Sequence, residues 1–180
     1  MTSIIDNYIP NISQISFYTN RLLLRPMNMN DTKTIVKWRN SIMIKDFSYD
    51  NKVISIDDHK KWYKSTRKYR YDYIFCDIEN QVPIGCMSYK ISKYLKKGVL
   101  NKIEMGKYIG EEDYLGRGFA QEATKKWLEI GHDYFKFNKI FVVTNKKNKV
   151  NIHINKKLGF RFVSFAEIKD PEWVIMEKSK

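Results

Sequence analysis

The chain has 180 residues, of which 43% are hydrophobic and 14% aromatic, so it has the apolar content of one folded domain and is not a disordered chain. No apolar run approaches the roughly 18 residues of a membrane helix, and the start of the chain lacks a secretory signal pattern, so we expect a cytoplasmic protein without a membrane partner. The net charge of +13 predicts an anionic partner, which charge alone does not identify among cofactor phosphates, substrate phosphates and nucleic acid.

The first predicted elements are a strand and a helix. Residues 18–25 predict a strand that stops at Pro26, because proline cannot donate a hydrogen bond to a sheet. Residues 28–31 supply side chains that start helices, and the apolar residues after them recur at spacings of three and four. The residues expected on the buried face of this first helix are Ile35, Trp38 and Ile42.

A second helix is predicted to start at a capping box formed by Ser55 and Asp58. On this helix His59 and Trp62 fall three residues apart and therefore share a face. The three histidines of the chain have no metal-ligand spacing, so no metal site is expected.

The middle of the chain predicts three strands. Residues 71–78 and 82–91 are rich in aromatic and β-branched side chains and flank a short turn, which is typical of a hairpin. Residues 102–109 predict the third strand. Cys76 and Cys86 fall in the first two strands, so we expect buried free thiols rather than a disulfide.

The remaining elements alternate between helices and strands. A long helix is predicted after a glycine loop, with a buried face made of Ala123, Trp127, Ile130 and Tyr134. Beyond it we expect a strand over residues 139–144, a helix over 150–158 that Gly159 ends, and strands over 160–168 and 173–176. This order of elements predicts a mixed α/β sheet without repeats or linkers.

The glycine loop is the most informative segment, and it reads Leu115-Gly116-Arg117-Gly118-Phe119-Ala120 between a strand and a helix. Free N–H groups and the helix dipole at such a helix start favour a phosphate, and Arg117 adds positive charge. Taken alone, a short segment with two glycines is about as often only a turn. It is neither a Walker loop nor a Rossmann fingerprint, because the further residues of those motifs are missing.

This loop resembles the acetyl-CoA motif of the GNAT superfamily of N-acetyltransferases, Gln/Arg-x-x-Gly-x-Gly/Ala, at every position but the first. Residues 148–160, from Asn148 to Phe160, resemble a later helix of the family, Asn-x-x-Ala-Ile-x-x-Tyr-x-Lys-x-Gly-Phe. The two motifs are separated by one helix and one strand, as in the family. The resemblance implies a mixed, mainly antiparallel sheet of about seven strands with about four helices, as one domain over residues 17–180 after an extension over 1–16.

The resemblance also implies acetyl-CoA as co-substrate, held in a V-shaped cleft where the strand over 102–109 splays from the strand over 139–144. Backbone groups of Met105, Lys107 and Ile109 would pair with the pantetheine arm, and one N–H would hold the thioester oxygen. The pyrophosphate would bind Leu115, Gly116, Arg117, Gly118, Phe119 and Ala120. Asn148 would contact the pantetheine side.

Two positions depart from the family pattern, and the first of them concerns the proton donor. The family often uses a tyrosine to protonate the leaving CoA thiolate, but Asn155 stands at that position and has no titrating proton. Asn155 either hydrogen-bonds CoA or has no role. Tyr114 or Tyr108 is an alternative acid, and a further alternative is that the thiolate leaves with only hydrogen-bond help. The second departure is Asn151, which stands where the family usually has alanine.

The acceptor amine must lose a proton, and Glu104 is the first candidate base, since several family branches have a glutamate there. The alternative interpretation is a solvated residue or an ion-pair partner. His59 is the second candidate, because the ordinary pKa of histidine lies near neutrality, although a histidine on a helix is more often inert.

The acceptor site is expected in the first two helices, whose residues resemble the branch that acetylates amino-sugar nucleotides in the pseudaminic acid pathway. That branch acts on the 4-amino group of a UDP- or dTDP-linked 4-amino-4,6-dideoxy sugar. The candidate acceptor-binding residues are Trp38, Arg39, Asn40, His59 and Trp62. The alternative for Trp38 is a place in the core.

Other functions remain open at this point. Residues 21–25 resemble the opening of ribosomal-protein N-terminal acetyltransferases, and polyamine acetyltransferases are a further alternative. The charge disfavours polycations as acceptors. A non-catalytic module that binds CoA or nucleic acid is the last alternative, although a nucleic-acid partner is not expected, and a homodimer is left open.

Overall fold

The structure is a computed structural model that describes residues 14–90, 102–164 and 170–180. Within these ranges the chain forms one eight-stranded sheet with five α-helices. The strands are β1 (Phe17–Tyr18), β2 (Leu22–Pro26), β3 (Arg70–Asp77), β4 (Val82–Lys90), β5 (Lys102–Ile109), β6 (Lys139–Asn145), β7 (Arg161–Val163) and β8 (Trp173–Ser179). The helices are α1 (Thr32–Asn40), α2 (Ile42–Lys45), α3 (Ile56–Thr66), α4 (Phe119–Asp133) and α5 (Lys149–Lys157).

The strand order is β1-β2-β3-β4-β5-β6-β8-β7, and all neighbours are antiparallel except β5 and β6. The predicted mixed, mainly antiparallel α/β fold is therefore confirmed. The extra strand arises because the first predicted strand is split by a turn, in which the Thr19 N–H donates to the Leu22 carbonyl at 2.8 Å. The extra helix is α2, which is four residues long.

Helix α1 has the predicted start but not the whole predicted face. Asn28 and Asp31 cap the turn that leads into the helix, and Trp38 is fully buried as expected. Ile42, however, is 77% exposed. The backbone of Ser41 is extended and its side chain accepts from an N–H of α2, so the helical face ends before Ile42. The prediction for Ile42 is therefore wrong.

Helix α3 begins with the predicted capping box. The Ser55 hydroxyl accepts from the Asp58 N–H at 3.1 Å, and the Asp58 carboxylate accepts from the Ser55 N–H at 3.0 Å. The rings of His59 and Trp62 lie 5.1 Å apart between centroids, which confirms their shared face.

Alternate side chains of the central strands point to opposite faces of the sheet, and each face packs under different helices. One face lies under α4 and α5, where the buried rings of Tyr89 and Trp127 stack with centroids 4.7 Å apart. The other lies under α1 and α3, around Trp38, Ile74 and Cys86. We call them the cofactor-side face and the acceptor-side face, after the ligands that the family resemblance leads us to expect there. Both cysteines are buried and free, as predicted.

The C-terminal half differs from the prediction in two places. Helix α4 ends at Asp133, so Tyr134 lies just past it and is exposed rather than buried. The strand predicted over residues 160–168 is observed only as β7, and residues 165–169 lie outside the described residues. Across the parts of the chain that the structure describes, we find no helix with the length and apolar character of a membrane span.

Candidate active site

The parallel neighbours β5 and β6 separate part-way along their length. Strand β5 pairs with β4 from Glu104 to Ile109, but its last pair with β6 joins Glu104 and Phe141. On its other side β6 pairs with β8 over its whole length. A gap therefore opens between β5 and β6 beyond Glu104, and each strand beside it is held by its other neighbour.

The backbone of β5 directs hydrogen-bonding groups into this gap. Just after β5, the Gly110 N–H donates to the Ile84 carbonyl on the β4 side at 2.8 Å. Successive peptide groups of a strand point to opposite sides. The N–H and C=O groups of Met105, Lys107 and Ile109 therefore face β6 rather than β4.

The glycine loop follows β5 and leads into α4. Gly116 and Gly118 have φ angles of 70° and 82°, a region that side-chain-bearing residues rarely adopt, and Gly118 is the N-cap of the helix. The Glu122 N–H makes the helical bond to the Gly118 carbonyl at 3.1 Å, so the N–H groups of residues 119–121 have no helical acceptor. The local geometry can bind an anion.

Arg21, which the sequence interpretation did not place in the site, fixes this loop. Its guanidinium donates to the Glu122 carboxylate at 2.7 Å and to the Arg117 carbonyl at 3.1 Å, and lies 4.1 Å from the Phe119 ring centroid. Burial opposes ionisation of Glu122, but hydrogen bonds from Thr19 and Arg21 outweigh it and lower the pKa of Glu122. Arg21 thus anchors the loop to β2, about a hundred residues away in sequence.

Asn155 and Lys107 meet beside the gap on the cofactor-side face. Asn155 is fully buried on α5, and its Oδ1 accepts from the Lys107 Nζ at 2.5 Å. Burial lowers the pKa of Lys107 to about 7. The side-chain oxygen of Asn148 caps α5 by accepting from the Asn151 N–H at 3.0 Å. Sequence reasoning used only the backbone of Lys107 and missed its side chain.

Glu104 lies on the opposite, acceptor-side face of β5. It is buried, and its carboxylate accepts from the Lys90 Nζ at 2.9 Å. Glu104 and Lys107 are three positions apart, and an odd separation on a strand places side chains on opposite faces. The candidate base and the half-buried Lys107 therefore lie on the two sides of one strand.

Trp38 is part of the core beneath the acceptor-side face. Its Nε1–H donates to Glu111 at 2.7 Å, and its ring packs directly on Gly110. A fully buried indole has no ring face for a sugar or base, so the predicted stacking role of Trp38 is wrong. In the structure it packs against the backbone that directly follows β5.

Arg39 and Asn40 hold the segment between α2 and α3. Asn40 donates to the Ile54 carbonyl at 2.8 Å and accepts from the Ile54 N–H at 2.9 Å. Arg39 donates to the Ser48 hydroxyl at 3.1 Å. Both side chains remain partly exposed, so they can still contact a bound substrate.

His59 is buried between α3 and α1. Its Nδ1 lies 3.2 Å from the Thr32 hydroxyl, and its Nε2 has no partner among the described residues. Burial lowers the pKa of His59, so the ring is neutral near neutral pH. Trp62 is half-buried, and the Arg70 guanidinium lies 4.6 Å from its ring centroid.

The two tyrosines considered as acids are engaged elsewhere. Tyr108 lies on the acceptor-side face with its ring centroid 6.1 Å from that of Trp38, and burial raises its pKa well above the ordinary value. The Tyr114 hydroxyl donates to Asp77 at 3.0 Å. Desolvation and this bond raise the pKa of Tyr114.

Comparison with known proteins identifies the family. Residues 21–161 match the family model described as acetyltransferase (GNAT) domain. A search of curated protein sequences gives no significant match.

Solved structures share the fold at low sequence identity. Spermidine N-acetyltransferase from Vibrio cholerae, in complex with CoA and spermine, has a TM-score of 0.73 at 17% identity, over 88% of this chain and 94% of that one. Ribosomal-protein-S5-alanine acetyltransferase from Vibrio fischeri has a TM-score of 0.73 at 15% identity, over 92% and 97%. Aminoglycoside acetyltransferase AAC(6')-Ib with coenzyme A has a TM-score of 0.72 at 17% identity, over 88% and 95%. With the family match over most of its length, the chain belongs to the GNAT acetyltransferases and is an acetyl-CoA-dependent N-acetyltransferase.

Proposed function

We propose that the gap between β5 and β6 receives the pantetheine arm of acetyl-CoA and that residues 115–120 receive its pyrophosphate. The observation that carries this proposal is the separation of β5 from β6 beyond Glu104, directly before the glycine loop. The backbone groups facing the gap match the amides of the arm, and the free N–H groups of the loop match a diphosphate. Asn148 uses its side-chain oxygen for the cap of α5 and keeps its Nδ2 for the arm.

Acetyl-CoA supplies the activated acetyl group, and the residues of the chain orient it and move protons. A backbone N–H of β5 that donates to the acetyl oxygen stabilises the charge that develops there, by roughly 3 kcal/mol. Glu104 accepts the proton that the amine loses, on the acceptor-side face. His59 is the second candidate base, since its ring is neutral and its Nε2 has no described partner.

We propose that the acceptor is the 4-amino group of a UDP- or dTDP-linked 4-amino-4,6-dideoxy sugar. The support is the distribution of charge on the acceptor-side face, where three carboxylates are each paired with one or two cations. The pairs are Glu104 with Lys90, Asp72 with Arg67 and Arg70, and Glu111 with Lys37. A polyamine needs carboxylates that are free to bind it, whereas a diphosphate is attracted by the excess of cations. Arg39, Asn40 and Trp62 border this face.

Gly118→Ala tests the cofactor site. A methyl group at φ 82° costs about 1 kcal/mol of backbone strain and stands where the pyrophosphate approaches, so CoA affinity by calorimetry should fall roughly tenfold or more. Gly159→Ala is the matched control, because Gly159 has a φ of 89° at the end of α5. Equal CoA affinity in both variants and the wild type would remove the loop from the site.

Glu104→Gln tests the base. We expect turnover to fall roughly 100-fold or more with little change in CoA affinity, because the amide cannot accept the proton. The acceptor itself is tested by mass spectrometry on a panel of amino-sugar nucleotides, spermidine, an aminoglycoside and ribosomal N-terminal peptides. Acetylation of the nucleotide sugar is expected, and acetylation of a peptide or polyamine alone would contradict the sugar proposal.

A further inference from the structure

The Lys107 side chain crosses from β5 to α5 at the gap where the proposed function places the pantetheine arm. Its Nζ donates to Asn155 Oδ1 at 2.5 Å, and no described carboxylate forms an ion pair with it. Asn155 is fully buried, and its Nδ2 has no partner among the described residues. A lysine ammonium has three N–H donors, so this contact leaves N–H groups available for a ligand.

Within the described parts of the chain, no charged side chain is paired with Lys107 to compensate its charge. The residue opposite Lys107 on β4 is Met87. The ionisable side chains of β6 and α5 are exposed, namely Lys139, Lys149, His153, Lys156 and Lys157. On α4 and β4, four ionisable side chains of this face are at least half-buried, and each bonds to a group other than Lys107. They are Glu122, Lys126, His132 and Tyr89. Desolvation therefore governs its proton affinity, and the lowered pKa of about 7 lets Lys107 release a proton near neutral pH.

The resemblance to the family implies a proton donor at position 155, where this chain has an amide that cannot donate a titrating proton. The amide instead holds an ammonium that can. We propose that Lys107 is the proton donor to the departing CoA sulfur, and that Asn155 is the positioning residue that holds it. This inference rests on the proposed function of the gap.

The proton balance of the transfer is complete with these groups. The acceptor nitrogen forms a bond to the acetyl carbon while the carbon–sulfur bond breaks. A proton moves from Lys107 Nζ to the sulfur, and the proton lost by the amine goes to Glu104. Lys107 ends neutral and Glu104 protonated, and exchange with solvent restores both groups before the next turnover.

The first test measures the thiol of bound CoA and needs no acceptor. Thiolate absorbance in the ultraviolet is titrated with pH for CoA alone and for its complexes, with the free protein subtracted. Lys107 releases its own proton near neutral pH, before an ordinary thiol does, so the permanent cation of Lys107→Arg is the probe of proximity. It should lower the thiol pKa of bound CoA by about one unit or more relative to Lys107→Met. In Lys107→Met the thiol pKa should be at least that of free CoA, and the matched change of an exposed lysine, Lys157→Arg, should leave it as in the wild type.

The second test separates the charge from the proton, with the amine that the acceptor panel identifies. Lys107→Arg carries a permanent charge but holds its proton too tightly to donate it, so turnover should fall roughly 100-fold even though the thiol pKa is lowered. The double variant Lys107→Met, Asn155→Tyr has the tyrosine that the family often uses at position 155. It should recover much of the turnover lost in Lys107→Met alone.

The outcomes distinguish the two proposals. Failure of the wild type to bind CoA contradicts the proposed function. Binding of CoA with the same thiol pKa in Lys107→Arg and Lys107→Met overturns the role of Lys107 and leaves the cofactor site in place. Full turnover in Lys107→Arg counts against proton donation, and so does no recovery with Asn155→Tyr in a double variant that folds and binds CoA as the wild type does.

Discussion

Replacing Gly131 with alanine should destabilise the fold, although alanine is the better helix former. An added Cβ would lie 2.4 Å from Tyr89 Oη, 2.8 Å from Tyr89 Cζ and 2.9 Å from Ile140 Cδ1. Tyr89 cannot move aside, because it is fully buried, stacks on Trp127 and donates to the Trp127 carbonyl at 2.7 Å.

The magnitude follows from opposing effects. Alanine gains about 1 kcal/mol over glycine in a helix. Overpacking costs about 1–3 kcal/mol, and the loss of the buried tyrosine hydrogen bond costs about 1–2 kcal/mol more. We expect Gly131→Ala to lower the free energy of unfolding by about 1–4 kcal/mol, measured by urea denaturation. The control is Lys125→Ala, an exposed position on the same helix, which should be near neutral.

A double-mutant cycle identifies the cause. Tyr89→Phe removes the atom nearest to the added methyl group, so Gly131→Ala should cost less in that background, with a coupling energy of about 1 kcal/mol. If Gly131→Ala is as stable as the wild type, or if the two substitutions are additive, the packing derived for this helix and sheet is incorrect.

Three further predictions concern stability. Burial lowers the pKa of Lys107 from 10.5 to about 7. Between these pH values the lysine is protonated in the unfolded chain and neutral in the folded one, so the free energy of unfolding of the wild type should increase as the pH rises from about 7 to about 10.5. In urea denaturation across that range Lys107→Met should lose this gain and Lys157→Met should keep it; parallel curves for all three proteins would contradict the burial of the charge. Gly110→Ala would place a Cβ 2.1 Å from Trp38 Cδ2, so we expect a loss of about 3 kcal/mol or more in the same assay, and a loss below about 1 kcal/mol would refute the close packing. Ser55→Ala removes a helix cap and should lower the free energy of unfolding by about 1 kcal/mol, whereas the exposed Ser65→Ala should have a smaller effect; equal losses would argue against the cap.

Features set by neighbouring residues were predictable from the sequence. The capping box of Ser55 and Asp58 depends on residues three apart, and the buried stripe of α4 depends on a regular spacing. Ile42 was misplaced because Ser41 caps a new helix, and spacing alone cannot show that the old one has ended. Trp38 carried two interpretations, because a tryptophan beside arginine and asparagine suits both a core and a binding surface, and its full burial supports the core.

Contacts between distant segments were not predictable. Arg21 fixes a loop about a hundred residues away, and Lys107 meets Asn155 across 48 positions. The only sequence signal for the second contact is the asparagine at a position where the family often has tyrosine. The substitution leaves that position without a titrating group, and only the pairing of strands and helices shows that Lys107 lies beside it.

The gap between β5 and β6 follows from how its two borders are held. Strand β5 stays paired with β4 through Ile109, and β6 stays paired with β8 through Asn145, so closing the gap would require one of these ladders to break. Buried backbone groups without partners cost about 1–3 kcal/mol each. The groups of Met105, Lys107 and Ile109 that face β6 are therefore best satisfied by a ligand with amides spaced along an extended chain. Since the Lys107 side chain meets Asn155 beside this gap, the backbone that we propose to bind the arm and the proposed proton donor belong to the same residue.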